Sequence, residues 1–200
     1  MTRRFTGKDL VIATHNKGKV QEIGALFAGF GLTFKSAMDY GLDSPPETGT
    51  TFLENAITKA RFVAEATGLP ALADDSGLCV NALDGAPGVY TADWAEEKGA
   101  RDFAYVMEKI NTLVGNNPDR SAQFVSVLAL CWPDGHIETA EGIAEGLLIW
   151  PPRGDFGHGC DPMFVPAGYD RTYAEMPADE KNAISHRAQS FAKMIDKCFR

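Results

Sequence analysis

Two adjacent carboxylates, a hydroxyl and a glycine stand together in Leu72-Ala73-Asp74-Asp75-Ser76-Gly77-Leu78. Side-by-side acids at a strand end repel, and a hard divalent cation with oxygen ligands is the commonest charge that relieves them. The same Asp-Ser-Gly also makes an ordinary turn between two strands. Upstream, Thr14-His15-Asn16-Lys17-Gly18-Lys19 joins an apolar run to a helical pattern. Free backbone N–H groups and the dipole of a helix start point at such a loop, so it can hold an anion, and its two lysines add charge. It approaches G-x-x-x-x-G-K-[ST], but Ala13 stands for the first glycine and Val20 for the Mg2+-binding hydroxyl, so it is not a P-loop. The plainer reading is a capped helix start with solvated lysines.

Two further groups carry chemistry. Asn55 and Lys59, four residues apart, project from one helix face, and Glu47 just upstream is free to reach a metal or a base. Lys181, Ser185, His186 and Arg187 fall within two turns of a C-terminal helical stretch. A His-Arg pair can donate to a carbonyl on a base edge and flank a phosphate. In isolation each group also reads as solvated surface. Between them, Gly154-Asp155-Phe156-Gly157-His158-Gly159-Cys160-Asp161-Pro162-Met163-Phe164 is a glycine-dense loop, and it lacks the third glycine of a dinucleotide fingerprint.

The elements that must position these groups follow from periodicity and punctuation. Residues 9–14 read as a buried strand and 20–30 as a helix with Val20, Ile23, Leu26, Phe27 and Phe30 inward. Pro45-Pro46 forces an extended approach to a Thr-capped helix ending near Gly68, with Phe52, Ala56, Val63 and Thr67 on its inner face. Asp74-Asp75-Ser76-Gly77 is expected to turn the chain. Residues 83–94, rich in turn formers yet carrying Tyr90 and Trp94, read as an ordered loop. A helix over about 100–114 should bury Phe103, Val106, Met107, Ile110, Leu113 and Val114. Pro133-Asp134-Gly135 makes a hairpin of strands 121–132 and 136–148, with His136 exposed beside it, and Pro177 starts one final helix.

Composition bounds the rest. The 200 residues are 44% hydrophobic and 23% charged, as expected of one folding unit with a sizeable core or two closely packed lobes. A net charge of -8 argues against phosphate-backbone binding, so no nucleic-acid partner is expected. Cys79, Cys131, Cys160 and Cys198 form no C-x-x-C pair and read as reduced thiols of a cytoplasmic protein. Met1-Thr2-Arg3-Arg4-Phe5 is basic, but no apolar run of signal length follows and none approaches about 18 residues. No export and no membrane partner are expected.

Taken together, the motifs resemble the inosine/xanthosine triphosphate pyrophosphatase family. Thr14-His15-Asn16-Lys17-Gly18-Lys19, Glu47-Thr48-Gly49 with Asn55-Ala56 and Lys59-Ala60, Ala73-Asp74-Asp75-Ser76-Gly77-Leu78, Gly85-Ala86-Pro87-Gly88, and Glu180-Lys181-Asn182 with Ser185-His186-Arg187 occur in that family's order. The match runs from about Leu10 to Arg187, and five separated motifs in order are highly specific. The resemblance implies an α/β fold over residues 1–200: a single domain of two lobes around a long mixed β-sheet flanked by helices, with a nucleotide cleft between the lobes. It also implies a homodimer and Mg2+-dependent hydrolysis of the 6-oxopurine nucleoside triphosphates ITP, dITP and XTP to monophosphate and pyrophosphate.

Carried over by position, Thr14, His15, Asn16, Lys17, Gly18, Lys19 and Lys59 hold phosphates, and Glu47 and Asp75 meet the metal. Asp75 is also the proposed general base, with Asp74 and Lys59 beside it in the catalytic set. Asn55 and Ser76 touch substrate, as does the loop His158, Gly159, Cys160 and Asp161, while Lys181, His186 and Arg187 close over the base and its sugar-phosphate. The family loop usually reads Phe-Gly-Tyr-Asp-Pro, its ring stacking on the base; His158-Gly159-Cys160-Asp161-Pro162 here predicts weaker stacking, hence a raised KM or altered base preference. Phe156-Gly157 supplies the ring if the loop shifts by two residues.

This chemistry is coherent. Water attacking the α-phosphorus develops charge that lysines and a metal stabilise, and a carboxylate beside Mg2+ can take the water's proton. Donors facing a 6-oxo group are left unpaired by the adenine amino group, at roughly 1–3 kcal/mol each, which predicts rejection of ATP. GTP keeps the 6-oxo group, so its exclusion must rest on the 2-amino group. Two other classes stay open: a Mg2+-dependent pyrophosphohydrolase for another modified nucleotide, and a non-catalytic nucleotide-binding protein. The latter has little use for Glu47, Asp74 and Asp75 together. A haloacid-dehalogenase-type phosphatase is disfavoured because Asp74-Asp75-Ser76 is not D-x-D.

Overall fold

Among the residues described by the computed structural model (2–15, 20, 23–24, 26–27 and 29–200), six runs pair into one mixed sheet of order β2-β1-β3-β4-β5-β6. The strands are β1 (Asp9–Ile12), β2 (Thr33–Ser36), β3 (Ala71–Val80), β4 (Ser121–Cys131), β5 (Ile137–Leu148) and β6 (Phe164–Pro166). β1 runs parallel to β2 in the register Leu10↔Phe34 and to β3 in the register Ile12↔Leu72. β5 and β6 are antiparallel, with Leu147 opposite Val165. β5 alternates buried and more exposed residues as a one-sided strand should, whereas β3 is buried almost throughout.

Five α-helices lie wholly within the described residues: α1 (Phe52–Thr67), α2 (Thr91–Glu96), α3 (Phe103–Val114), α4 (Ala178–Ile184) and α5 (His186–Cys198). α1 starts and stops where its punctuation dictates. The Thr51 hydroxyl accepts the Glu54 N–H, Glu54 reaches back in a capping box, and Gly68 closes the C-terminus. The expected hairpin also forms, the Trp132 N–H donating to the His136 carbonyl at 2.9 Å.

The chain divides into two compact units. Unit 1 comprises Met1–Asp75, Val127–Glu141 and Ser190–Arg200; its core gathers Leu10, Ile12, Phe27, Leu72, Leu128 and Phe191. Unit 2 comprises Ser76–Ser126 and Gly142–Gln189, with Leu78, Val106, Ile110, Phe124, Phe164 and Tyr173 at its centre. All four cysteines are free thiols, and no described helix is long and apolar enough to cross a membrane.

Several expectations are corrected. Asp74-Asp75-Ser76-Gly77 does not turn: β3 runs straight through it. β1 pairs with β3 only at Ala71 and Leu72, so β4 is the neighbour of the stretch beyond them, and a continuous strand satisfies backbone groups that a buried turn would orphan. Residues 83–94 are not simply a loop, since Thr91 opens α2, its hydroxyl donating to the Gly88 carbonyl at 2.6 Å and accepting the Leu78 N–H at 3.1 Å. Leu113 is 54% exposed because the buried stripe of α3 is Val106, Met107, Ile110 and Val114. The final helix is two helices: Ser185 is extended (φ -68°, ψ 156°) and its hydroxyl accepts the Ala188 N–H, restarting the chain as α5. His136 is half-buried, its Nε2 2.9 Å from Glu138 Oε1.

Glu138 is a buried carboxylate of unit 1 that the sequence does not flag. It accepts from the Arg3 N–H at 2.8 Å and pairs with Lys197 Nζ at 2.8 Å as well as with His136. Burial alone would raise its pKa, but Lys197, His136 and the Arg3 amide hold it down at about 2. A depressed carboxyl stabilises the fold above its unfolded pKa, and that contribution fades as pH falls from about 4.5 toward 2. Glu138→Gln should therefore lower stability at pH 7 by roughly 1–3 kcal/mol. Thermal unfolding of both proteins from pH 7 down to pH 2 checks this, the gap closing as the wild-type carboxyl protonates.

Candidate active site

In unit 1, three predicted residues meet. β3 carries Asp75, α1 carries Lys59 on its second turn, and Glu47 stands in the extended segment leading to α1. Lys59 Nζ donates to Asp75 Oδ1 at 2.8 Å and reaches Glu47 Oε1 at 3.3 Å. Asp75 is 8% exposed, and its Oδ2 is buried with no hydrogen-bond partner. Burial is the largest influence on that carboxyl and pushes its pKa up to about 6; Lys59 opposes the rise, while Glu47 and Asp74 add to it. Burial would lower the Lys59 pKa, but Asp75, Glu47 and Asp74 more than offset it and the net shift is upward.

An orphaned carboxylate oxygen beside a second carboxylate fits a hard cation. Among the described residues no three His, Cys, Asp or Glu side chains form a ready cage. Two carboxylates are what Mg2+ ordinarily takes from a protein when substrate phosphates and water complete its shell. Successive strand residues point to opposite faces, so Asp74 leaves β3 on the side away from Asp75. It still bears on the charges of Asp75 and Lys59.

The anion loop is described only at its start. Thr14 and His15 follow β1, whereas Asn16, Lys17, Gly18 and Lys19 lie outside the described residues. His15 has both ring nitrogens engaged, Nε2 at 2.6 Å from the Leu42 carbonyl and Nδ1 at 2.6 Å from Ser44 Oγ. A carbonyl only accepts, so Nε2 carries the hydrogen and the Ser44 hydroxyl donates to Nδ1. His15 therefore ties the loop to the segment that runs on to Glu47. Asn55 is 3% exposed and its Oδ1 accepts the Gly49 N–H at 2.8 Å, so it faces its own loop and not open solvent.

The second predicted group assembles within unit 2. Asp161 is buried at the foot of the glycine-dense loop, ion-paired to Lys181 and accepting the His158 N–H at 2.9 Å. Gly157 is required there: its φ of 75° suits glycine, and a Cβ would fall 2.2 Å from Asp161 Oδ2. The His186 ring stacks on Phe124 at 5.0 Å and 14°, and Arg187 Nη2 lies 3.5 Å from Ser76 Oγ. The break at Ser185 is what presents His186 and Arg187 at the first turn of α5. Phe124 as the platform for His186 was not anticipated, and nothing in the β4 pattern singles it out.

The loop departure resolves unevenly. Cys160 is 1% exposed within the unit 2 core, where burial raises its thiol pKa to about 12. It packs there and presents no face to a base. His158 is exposed, and Phe156, two residues upstream, is 60% exposed.

The chain is similar to known proteins over nearly its whole length. The model of the Ham1 family matches residues 10–197. A dITP/XTP pyrophosphatase of Agrobacterium fabrum is 51% identical over 210 residues, covering 98% of each chain. That of Ruegeria pomeroyi is 53% identical over 202 residues, covering 100% of this chain and 99% of its own. Among solved structures, a HAM1 protein from Coxiella burnetii superposes with a TM-score of 0.88 at 38% identity, covering 94% of this chain and 96% of that one.

Proposed function

The chain belongs to the Ham1 family, and from that premise we propose that it hydrolyses noncanonical purine nucleoside triphosphates, dITP and XTP among them, to the monophosphate and pyrophosphate. The observation that carries the reading is the unpartnered Oδ2 of Asp75 beside Lys59 and Glu47. The same reading takes Mg2+ as the cation, a homodimer as the working form and the cytoplasm as its place.

In this mechanism Asp75 accepts a proton as water adds to the α-phosphorus and the bond to the pyrophosphate oxygen breaks. A carboxyl with a pKa near 6 is a competent base at neutral pH. Lys59, held at 2.8 Å from Asp75, places an ammonium where charge develops on the phosphoryl oxygens. Glu47 and Asp75 would hold Mg2+, which supplies charge neutralisation to the phosphates and lowers the pKa of bound water. Lys181, anchored by Asp161, supplies a donor toward a 6-oxo base, with His186 and Arg187 alongside.

Pyrophosphate release from dITP, XTP, GTP and ATP at equal concentration, with Mg2+ or with EDTA, tests the reading. Metal-dependent turnover of dITP and XTP far above GTP and ATP is the expected result; no release from any of the four would sink it. His158→Phe is expected to lower KM for dITP several-fold by restoring a better stacking ring. Cys160→Tyr is the wrong companion, because that side chain points into the core. An unchanged KM would hand the stacking role to Phe156.

A further inference from the structure

We propose that Asn55 is a positioning residue: it holds the Gly49 backbone so that the Glu47 carboxylate stays in reach of the Asp75–Lys59 pair. The proposal rests on the reading of Glu47 as a metal ligand given above. Residues 43–49 have no regular secondary structure, yet the three successive amides of Gly49, Thr50 and Thr51 are pinned to Glu54 and Asn55 of α1. The Thr50 and Thr51 N–H groups donate to Glu54 Oε2 at 2.8 and 3.1 Å. Those bonds are exposed, and water competes for them.

The Gly49 N–H donates to Asn55 Oδ1 at 2.8 Å, and Asn55 is buried. A backbone N–H can only donate, so the amide oxygen must face it. The fit is close: a Cβ on Gly49 would lie 2.5 Å from Asn55 Oδ1 and 2.7 Å from Glu54 Cβ. Glycine at 49 and asparagine at 55 are thus two halves of one contact. Asn55 and Lys59 lie one helical turn apart on α1, so the contact ties the segment bearing Glu47 to the helix that carries Lys59. With the contact gone, what holds the half-exposed Glu47 side chain among the described residues is its 3.3 Å approach to Lys59.

Binding of Mn2+ to the full-length protein without nucleotide, followed by loss of the free-ion electron paramagnetic resonance signal, tests this apart from turnover. Asn55→Ala should weaken Mn2+ binding about tenfold, and Asn55→Asp, which keeps the acceptor, should restore it to within about threefold of wild type. Glu47→Gln should weaken binding at least as much, and the double variant Glu47→Gln, Asn55→Ala should be no weaker than Glu47→Gln alone. Should Asn55→Ala fail to fold, Gly49→Ala breaks the same contact from the loop side and should give the same loss. Weakening by Glu47→Gln with no effect of Asn55→Ala or Gly49→Ala overturns the positioning role alone, as does a fully additive double variant. Mn2+ binding indifferent to Glu47→Gln overturns the metal reading and the proposal with it.

Discussion

Asp75→Asn is expected to cut pyrophosphate release by about 10³- to 10⁴-fold while making the protein more stable. The activity loss follows from removing the proposed base and a metal-binding oxygen in one change. The stability gain follows from burial. The Asp75 carboxyl has its pKa pushed up to about 6 from 3.8, so the folded state prefers it protonated. Its contribution to stability is complete below about pH 3.8 and is lost as pH rises through 6. At pH 7 the wild type carries a buried charge that asparagine lacks, and the variant should gain about 1–3 kcal/mol. Urea unfolding at pH 4 and pH 7 is the check: nearly equal stabilities at the lower pH and a more stable variant at the higher. A variant less stable at pH 7 would mean that the Lys59 pairing outweighs the burial. The same carboxyl should make kcat/KM of the wild type rise with pH through about 6 at low Mg2+. Saturating Mg2+ should move that limb lower, because a bound cation favours the carboxylate.

Lys59→Met is expected to lose both activity and stability, and the stability loss should grow with pH. Lys59 and Asp75 are largely buried, so removing the ammonium leaves a largely buried carboxylate without its ion-pair partner. At pH 5 Asp75 takes up a proton and the cost is small. Above pH 7 it cannot, and a loss of about 2–4 kcal/mol is expected. Activity should fall about 10²- to 10³-fold, the usual consequence of deleting one electrostatic stabiliser of the transition state. Adding Asp75→Asn to Lys59→Met should recover most of the stability and none of the activity, the non-additivity expected of two groups in contact. Equal stability losses at pH 5 and pH 8 would exclude the buried-charge explanation.

Much of the chemistry was legible because it is written in local patterns. Thr51 and Gly68 bracket α1 through cap chemistry that acts within one turn, and Pro133-Asp134-Gly135 announces its hairpin in the same way. The pairing of Lys59 with Asp75 could be anticipated from motif order, though not its geometry. His15 and Asn55 are expected at the substrate, and the structure adds protein partners for them in the Leu42 and Ser44 segment and Gly49. Residue type proclaimed their hydrogen-bonding capacity; only the folded chain decided where it was used.

The sequence by itself determined both ends of α1, the hairpin, and the grouping of Glu47, Lys59 and Asp75. These rest on periodicity, capping and turn chemistry, which act over a few residues, and on motif order along the chain. The tertiary structure decided what depends on pairing and burial between distant segments. It drew Asp74-Asp75-Ser76-Gly77 into a strand beside β4, and thereby set the two aspartates on opposite faces. It sent Cys160 into a core and left Phe156 outside, and it broke the last helix at Ser185. In each case the local sequence allowed more than one conformation, and burying apolar surface without orphaning backbone groups selected one.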